Sequence, residues 1–367
     1  MPNLKIAIIC PHLTISGGVR NYYITLKKYL SCDYDIVEIG AVKEHEMPIL
    51  KLRNLIRDIR KILNLFKKKS DIIDIVHINP SFLYGSLIRD AIFLILAKKF
   101  NLKTIVFFRG INKKTTEIIE KYFFSIFYNI YNKTDVFIVL NNEFKSYLRK
   151  MKFEQPIYLE TTLVDDNLLK EFSIRKKVNE LGDKKSITFL FISRIVREKG
   201  IIETIKTFDL LSKKYLNVTL NIAGNGPYLN RAKLFAQNCV CNKRIRFHGH
   251  VDGIKKIDLL KNSDIFLFPT DYGEGMPNSI IEAMAFGMPI ITRPVGGIKD
   301  IFNNGKNGFM TESKDPKQFY KLTERIINDI KLWEEISLFN YNLAKDKFYA
   351  STVGKRLENI YAKTILS

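Results

Sequence analysis

Cysteine and tryptophan are nearly absent from this 367-residue chain, which carries four of the first and one of the second. Cys10, Cys32, Cys239 and Cys241 show no framework spacing, and a disulfide between positions 239 and 241 would be strained, so a disulfide-stapled secreted domain is excluded and a reducing compartment is expected. Proline and glycine, at 11 and 19 residues, are too few for a collagenous or low-complexity chain. No apolar run approaches the roughly 20 residues that span a bilayer; the longest is AIFLILA from Ala91. The N-terminal LKIAIIC leads into a strand without a small-residue cleavage site, so no signal peptide is expected and the chain reads as cytoplasmic.

Acidic residues are the remaining deficit. Lys and Arg outnumber Asp and Glu by 59 to 38, a net charge of +21, which favours an anionic partner. The excess is clustered: residues 51–150 hold 20 basic against 8 acidic side chains. A drift toward Lys-, Ile- and Asn-rich composition accounts for bulk charge but not for the clustering.

What the sequence does contain is a regular alternation of β-branched or aromatic runs with longer helical patterns, the signature of parallel sheets with helical crossovers. Strands are expected near Leu4–Cys10, Tyr34–Ile39, Ile72–Ile78, Lys103–Phe108, Val136–Leu140 and Ile157–Leu159. A second set is expected near Ile187–Ile192, Val218–Ile222, Ile245–Phe247, Ile265–Phe268 and Ile290–Thr292. Residues 161–186 lack strong periodicity and mark a boundary, so the fold class is α/β with two doubly wound, Rossmann-like halves. The stretch after Asp315 and the last twenty residues read as helices.

In such sheets ligands bind beyond the carboxyl ends of the strands, and the chemistry-bearing residues fall there. Gly17 and Gly18 precede a helix after the first strand, where backbone N–H groups can approach a phosphate, although a tight turn accounts for the pair as well. Arg194 ends the strand ITFLFISR, and Lys199 stands beside a helix opened by Gly200, two cations suited to a diphosphate. Gly224, Asn225 and Gly226 form a turn after the next strand. His248 and His250 flank Gly249 in FHGHV, with no carboxylate or Cys cluster to complete a metal site, so no metal is expected. Glu274 lies in a Gly-rich loop and Glu282 eight residues on, about two turns into a helix; together they could serve one ligand at two points, sugar hydroxyls and a ribose diol.

Taken in order, SRIVREKG, IAGNGP, FHGHV, the Glu274/Glu282 pair and VGGIKDIFNNGKNGF, with the Gly17-Gly18 loop, resemble the retaining GT-B glycosyltransferases of family 4 over nearly the whole chain. The resemblance implies a GT-B fold, two Rossmann-like domains facing a central cleft. Residues 1–165 would be the acceptor-side domain, 166–345 the nucleotide-sugar domain, and 346–367 a helix packing back on the first. It implies a donor of UDP or GDP type and no other cofactor. Arg194 and Lys199 would bind the diphosphate, Glu282 the ribose, and the backbone at His248, Gly249 and Val251 the base. Gly18, next to Gly17, would contact phosphate; Glu274 with the backbone of Gly275, Met276, Pro277, Asn278, Ser279 and Ile280 would hold the sugar, near the Gly224–Asn225–Gly226 turn. Many members carry a His before Gly at the end of an N-domain strand, whereas this chain has Arg109-Gly110. Arginine cannot be a general base at neutral pH, so Arg109 could only donate hydrogen bonds or stabilise negative charge.

Leu52, Leu55, Ile56, Ile59, Ile62, Leu63 and Phe66 form one face of a helix whose other face carries Lys51, Arg53, Arg57, Arg60 and Lys61, with Lys67–Lys69 following. That is the pattern of a basic interfacial helix, and also of a sheet-covering helix with a solvated face. Thr116–Tyr131 holds six aromatic residues, too many for one buried stripe. The expected protein is a nucleotide-sugar-dependent transferase at the inner face of the membrane that extends a lipid-linked or cell-surface glycan. A soluble transferase making a small glycoside is the alternative. A basic nucleic-acid-binding protein would explain the charge but not the spaced glutamates, and no nucleic-acid partner is expected.

Overall fold

The structure is a computed structural model that describes residues 4–13, 17–40, 48–273 and 275–366, with backbone alone at 48 and 49. The chain divides into two compact units, Met1–Thr162 with Ala350–Ser367, and Leu163–Tyr349.

Unit 1 runs β1 (Lys5–Pro11), α1 (Gly18–Leu26), β2 (Asp33–Ile39), α2 (Pro48–Lys69), β3 (Ile75–Ile78), α3 (Tyr84–Lys99) and β4 (Lys103–Phe108). It continues through α4 (Lys113–Ile118), α5 (Phe124–Tyr131), β5 (Val136–Val139), α6 (Asn142–Lys150) and β6 (Ile157–Leu159). The six strands pair in parallel in the order β2-β1-β3-β4-β5-β6. β3 and β5 are buried at every residue, as central strands covered on both faces must be. Right-handed crossovers put α2, α3, α5 and α6 on one face of the sheet, because each carries the chain in the same direction across it, and α1 on the other.

Unit 2 runs α7 (Ile174–Asn179), β7 (Ile187–Ile192), α8 (Ile201–Lys214), β8 (Val218–Ala223), α9 (Leu229–Gln237), β9 (Ile245–Gly249), α10 (Gly253–Lys261) and β10 (Ile265–Phe268). α11 (Asn278–Ala285), β11 (Ile290–Thr292), α12 (Ile298–Ile301), β12 (Gly308–Met310), α13 (Pro316–Ile327) and α14 (Ile330–Lys347) complete it, and α15 (Ala350–Leu366) belongs to unit 1. The parallel order β12-β11-β10-β7-β8-β9 reverses direction between β7 and β10. That reversal opens a crevice at the carboxyl ends of these two strands, where an open α/β sheet binds its ligand.

Two strands differ from the sequence expectation. β3 starts at Ile75 and not Ile72, because the N–H groups of Ile72 and Ile73 donate to the Lys69 carbonyl at 3.1 and 3.0 Å and finish the last turn of α2. β12 was not expected: it is three residues long and begins with a glycine at φ +121°, where a Cβ would overlap the backbone of Ile290. Only two apolar residues, Phe309 and Met310, stand there, too short a run for a sequence pattern to count.

α15 is fastened to unit 1 by polar groups as well as by apolar packing. Arg356 grips Glu160 with two hydrogen bonds, Nε to Oε1 at 2.7 Å and Nη2 to Oε2 at 2.9 Å. Glu358 accepts from the Ser31 hydroxyl at 2.8 Å and from the N–H groups of Ser31 and Cys32. Tyr361 reaches His77 on β3, its hydroxyl 2.8 Å from Nδ1. The proton positions follow from satisfaction: Tyr23 donates its own hydroxyl proton to Asn79 Oδ1 at 2.7 Å, so the 3.3 Å contact from His77 Nε2 to the Tyr23 oxygen is a donation. His77 is then the neutral Nε2–H tautomer, accepting from Tyr361 at Nδ1.

Burial first, and the nearby Arg109 guanidinium second, hold the His77 pKa well below its ordinary value. A depressed folded-state pKa contributes stability that is present above the unfolded value near 6.5 and is lost as pH falls below it, at up to ~1.4 kcal/mol per pH unit. Thermal unfolding followed at pH 7 and pH 5 should therefore show a smaller acid-induced loss for His77→Gln than for the wild type. Equal losses in the two proteins would remove His77 from this role.

Candidate functional site

The carboxyl edge of the unit 2 sheet is built by loops stitched to one another through backbone groups. After β7, Ser193 N–H donates to the Ala223 carbonyl at 3.1 Å and Ile195 N–H to Asn225 at 2.9 Å, tying the Arg194 loop to the turn after β8. That turn is tied in its own right to β9, since Gly224 N–H donates to Gly249 at 2.6 Å. On the other side of β7, Asp271 N–H donates to the Glu198 carbonyl at 2.7 Å, joining the turn that carries Lys199 to the loop after β10. Four loops therefore meet around the point where the strand order reverses.

Two glycines set how closely they meet. Gly224 has φ +135°, and a Cβ there would overlap the Ser193 carbonyl; Gly200 has φ +80°, and a Cβ would overlap the carbonyl of Pro269. Gly200 caps α8, while Lys199 closes a single 3₁₀ turn, Arg197–Lys199, just before it. The Lys199 ammonium sits 4.4 Å from the Tyr272 ring centroid and 5.7 Å from that of Phe268, so the aromatic groups after β10 hold the cation at the crevice. Arg194 is exposed at the end of β7.

α11 begins at Asn278, so Glu282 is its fifth residue and lies about one turn inside the helix, not the two expected. Its buried carboxylate pairs with Lys256 Nζ of α10 at 2.7 Å. Met276 is buried ahead of the helix, Pro277 occupies its N-cap, and Asn278, Ser279 and Ile280 form its first turn, where backbone N–H groups lack intrahelical acceptors. The side-chain oxygen of Asn278 is buried and has no hydrogen-bond partner among the described residues. Gly275 joins this loop, and Glu274 lies outside the described residues.

On β9, His248 is exposed with Nε2 2.9 Å from Asn221 Oδ1, and its pKa is lowered by partial burial and then by Arg246. Val251 follows, half-buried. Among the described residues no three His, Cys, Asp or Glu side chains cluster.

Sequence reasoning missed Lys256, because its partner lies 26 residues away in a different crossover. It also missed Arg293 after β11, buried, ion-paired to Asp271 and donating to the Glu312 carbonyl at 2.9 Å. Arg293 fixes the start of the 271–276 loop, and its signal, one Arg after a short strand, is no different from a solvated residue's.

In unit 1, Gly18 opens α1 and Gly17 caps it; a Cβ at either would meet no atom within 4 Å. The protein's own packing does not require glycine at these two positions. Arg109 follows β4 and is held on all sides. Its guanidinium carbon lies 3.6 Å from the Phe107 ring centroid and 4.1 Å from that of Tyr22. Nε and Nη2 donate to Asn79 Oδ1 at 3.0 and 2.8 Å, and Nη2 to Tyr23 at 3.0 Å. Two of its three nitrogens are thus committed within unit 1.

Two all-parallel, doubly wound units with a final helix returning to the first define the GT-B fold. The chain superposes on Anabaena HepE in complex with UDP at a TM-score of 0.74, covering 98% of this chain and 100% of that one at 15% identity. It superposes on a glycosyltransferase of Rickettsia africae at 0.76, covering 100% and 99% at 18% identity. Within that fold, residues 173–341, most of unit 2, match the family Glycosyl transferases group 1. The capsular polysaccharide biosynthesis glycosyltransferase CapM of Staphylococcus aureus is 32% identical over 209 residues, 56% of this chain and 52% of CapM. The putative teichuronic acid biosynthesis glycosyltransferase TuaC of Bacillus subtilis is 28% identical over 209 residues, 56% of this chain and 49% of TuaC. The chain spans about half the length of these curated relatives.

The close approach of the loops makes one prediction. Gly224→Ala must move either Ser193 or the β8 turn, so it should cost about 2 kcal/mol or more and lower the unfolding midpoint, whereas Gly18→Ala should leave the midpoint unchanged. Calorimetric scans of both variants check this; an unaffected Gly224→Ala protein would contradict the packing described.

Proposed function

We propose that the protein is a retaining glycosyltransferase that moves a sugar from a nucleoside diphosphate donor, of UDP or GDP type, to a growing cell-surface or lipid-linked polysaccharide. The observation that carries this reading is the convergence, at the strand-order reversal of a group 1 domain, of Arg194, Lys199, the α11 N-terminus and Glu282. HepE was solved with UDP, and CapM and TuaC are named for polysaccharide biosynthesis, which supports the donor and acceptor classes.

Arg194 and Lys199 bind the diphosphate, the first through its forked donors and the second as a point charge steadied by Tyr272. Glu282 accepts from the ribose hydroxyls, with Lys256 holding its carboxylate in place. Asn278, whose oxygen lacks a donor, accepts from a sugar hydroxyl, and the 275–280 backbone and Glu274 hold the same sugar. The backbone from His248 to Val251 receives the base. Gly17 and Gly18 let phosphate approach the α1 N-terminus, consistent with the open space where their Cβ atoms would lie.

In the reaction, the bond from the anomeric carbon to the diphosphate oxygen breaks, and the acceptor hydroxyl oxygen bonds to that carbon on the same face. The hydroxyl proton passes to the departing phosphate oxygen. No side-chain base is needed, and the residues' work is electrostatic, stabilising charge as it develops on the diphosphate. Arg109 contributes a fixed positive charge and hydrogen-bond donors.

Removing one charge-assisted contact costs about 1.5–3 kcal/mol. Arg194→Ala and Lys199→Ala should therefore each weaken nucleoside diphosphate binding about tenfold or more by titration calorimetry, and turnover should persist in EDTA. Unchanged affinity in both variants would defeat the assignment, and loss of turnover in EDTA with rescue by a divalent ion would defeat the metal-free mechanism.

A membrane-linked acceptor is favoured over a small soluble one by α2. Leu52 and Ile56 are 60% and 44% exposed among Arg53, Arg57 and Arg60, instead of covering the sheet as Ile62 and Phe66 do. The helix thus lies on an anionic membrane surface at the inner face. No described helix is long and apolar enough to cross a membrane. Arg57 and Lys61 also bond to the carbonyls of Gly40 and Glu38, so the cleaner test changes Arg53, Arg60, Lys67 and Lys68 to Gln. This variant should lose low-salt flotation with phosphatidylglycerol liposomes and keep nucleotide binding. Failure of the wild-type protein to float would put the small-glycoside reading ahead.

A further inference from the structure

The segment after α4 contains one π turn, Ile119–Phe123, whose extra residue shifts the helical register. It leaves Phe127 and Tyr131 buried, while Phe123 and Ile126, at 49% and 61% exposure, stand toward solvent. Across from them, α3 presents Ile88, Ile92 and Ile95, spaced i, i+4, i+7 on one helix face, with Ile88 63% exposed. Between the two stripes lies a groove of about 300 Å³, at the lower end of the range for ligand clefts.

Its lining is hydrocarbon. The two hydroxyls among the lining residues are engaged elsewhere, Tyr131 donating to the Leu87 carbonyl at 2.8 Å and Tyr84 to that of Lys114 at 3.4 Å. A sugar, nucleotide or extended peptide would lose its water there and gain no partner. The groove belongs to the same helical layer as α2, which packs against α3, and Lys113, Lys114 and Lys121 stand at its α4 end, Lys121 lying 5.0 Å from the Tyr122 ring centroid. Glu117 and Glu120 are exposed in the same segment, Glu120 paired with Lys150, so the lysines exceed the carboxylates there, and with the basic α2 beside it the apolar slot is complementary to an anionic lipid leaflet. A second copy of the chain is disfavoured, since a self-complementary contact would bring two basic α2 helices together.

We infer that the α3/α5 groove takes up acyl chains of an anionic bilayer leaflet, so that unit 1 inserts Phe123 and Ile126 below the level of the phosphates that α2 contacts. The inference rests on the membrane reading of α2 and adds penetration to it. Phe123→Trp in the full chain, mixed with phosphatidylglycerol vesicles whose acyl chains are brominated, should shift its emission to the blue and lose at least half its intensity relative to unbrominated vesicles. The native Trp333, buried in unit 2, should be unaffected and serves as the internal reference. A second variant, Phe123→Ser with Ile126→Ser, should bind vesicles about tenfold more weakly in 0.5 M salt, where the charge contribution is screened, with nucleotide binding unchanged.

Flotation without quenching at position 123 would overturn the insertion while leaving the α2 reading intact. No flotation at all would defeat the α2 reading, and with it this one. A wild-type dimer in sedimentation velocity that the double Ser variant dissociates would assign the groove to a second copy and overturn the proposal.

Discussion

Backbone in unit 2 approaches backbone so closely that no side chain fits between. Gly224 under the Ser193 carbonyl and Gly200 under that of Pro269 bring the loops after β7, β8 and β10 into register, and the 2.6 Å hydrogen bond from Gly224 to Gly249 carries the same registration to β9. Arg194 and Lys199 hang from the loop after β7, and Asn278 and Glu282 stand on the helix that the loop after β10 leads into. Arg194 and Lys199 are exposed and half-buried side chains with several rotatable bonds, so what fixes their place is the main chain beneath them.

Unit 1 achieves rigidity differently, by a buried polar network. Asn79 Oδ1 accepts from Tyr23 and from two nitrogens of Arg109; Tyr23 accepts in turn from Arg109 and His77; and His77 accepts from Tyr361 of α15. A cation this close can be tolerated only if the histidine remains neutral, which its depressed pKa provides. The arrangement explains why an arginine stands at the end of β4 without disturbing the sheet: Phe107 and Tyr22 cover its guanidinium while Asn79 and Tyr23 meet its donors. It also makes α15, last in sequence, part of the setting of a residue at the end of β4.

The alternation of strand and helix was legible in the sequence because central parallel strands are continuous apolar runs, and FLFI before Ser193 or VFIV at β5 leave few other readings. The placement of Arg194, Lys199 and Gly224 after β7 and β8, and of Gly249 at the end of β9, was also legible, since each follows or closes an apolar run. What was not legible depends on partners remote in sequence. Lys256 acquires its meaning only when α10 is laid beside α11, and Arg293 only when β11 is laid beside β10. Arg109 drew notice as a departure from a family pattern, but the rings and the asparagine that hold it come from α1, β4 and the turn after β3.

The basic charge of the chain has a different physical scale from that of the donor site. In the donor site we propose, Arg194 and Lys199 would act on the diphosphate over a few ångströms, where salt has less effect than on longer-range attraction. On the membrane reading, the α2 cations would act over about one Debye length, each contributing on the order of 1 kcal/mol near an anionic surface and each screened by salt. Such attraction alone is reversible and does not orient the protein, because a row of charges can slide or rotate over a lipid surface. On the membrane reading proposed above, exposed apolar residues would supply what the charges do not: Leu52 and Ile56 on α2, with Phe123 and Ile126 beyond the α3 groove, would give contacts off the helix axis. Two such anchors on one helical layer would define a plane, and a plane would hold the carboxyl edge of the unit 1 sheet at a constant distance from the bilayer in a way that one helix could not.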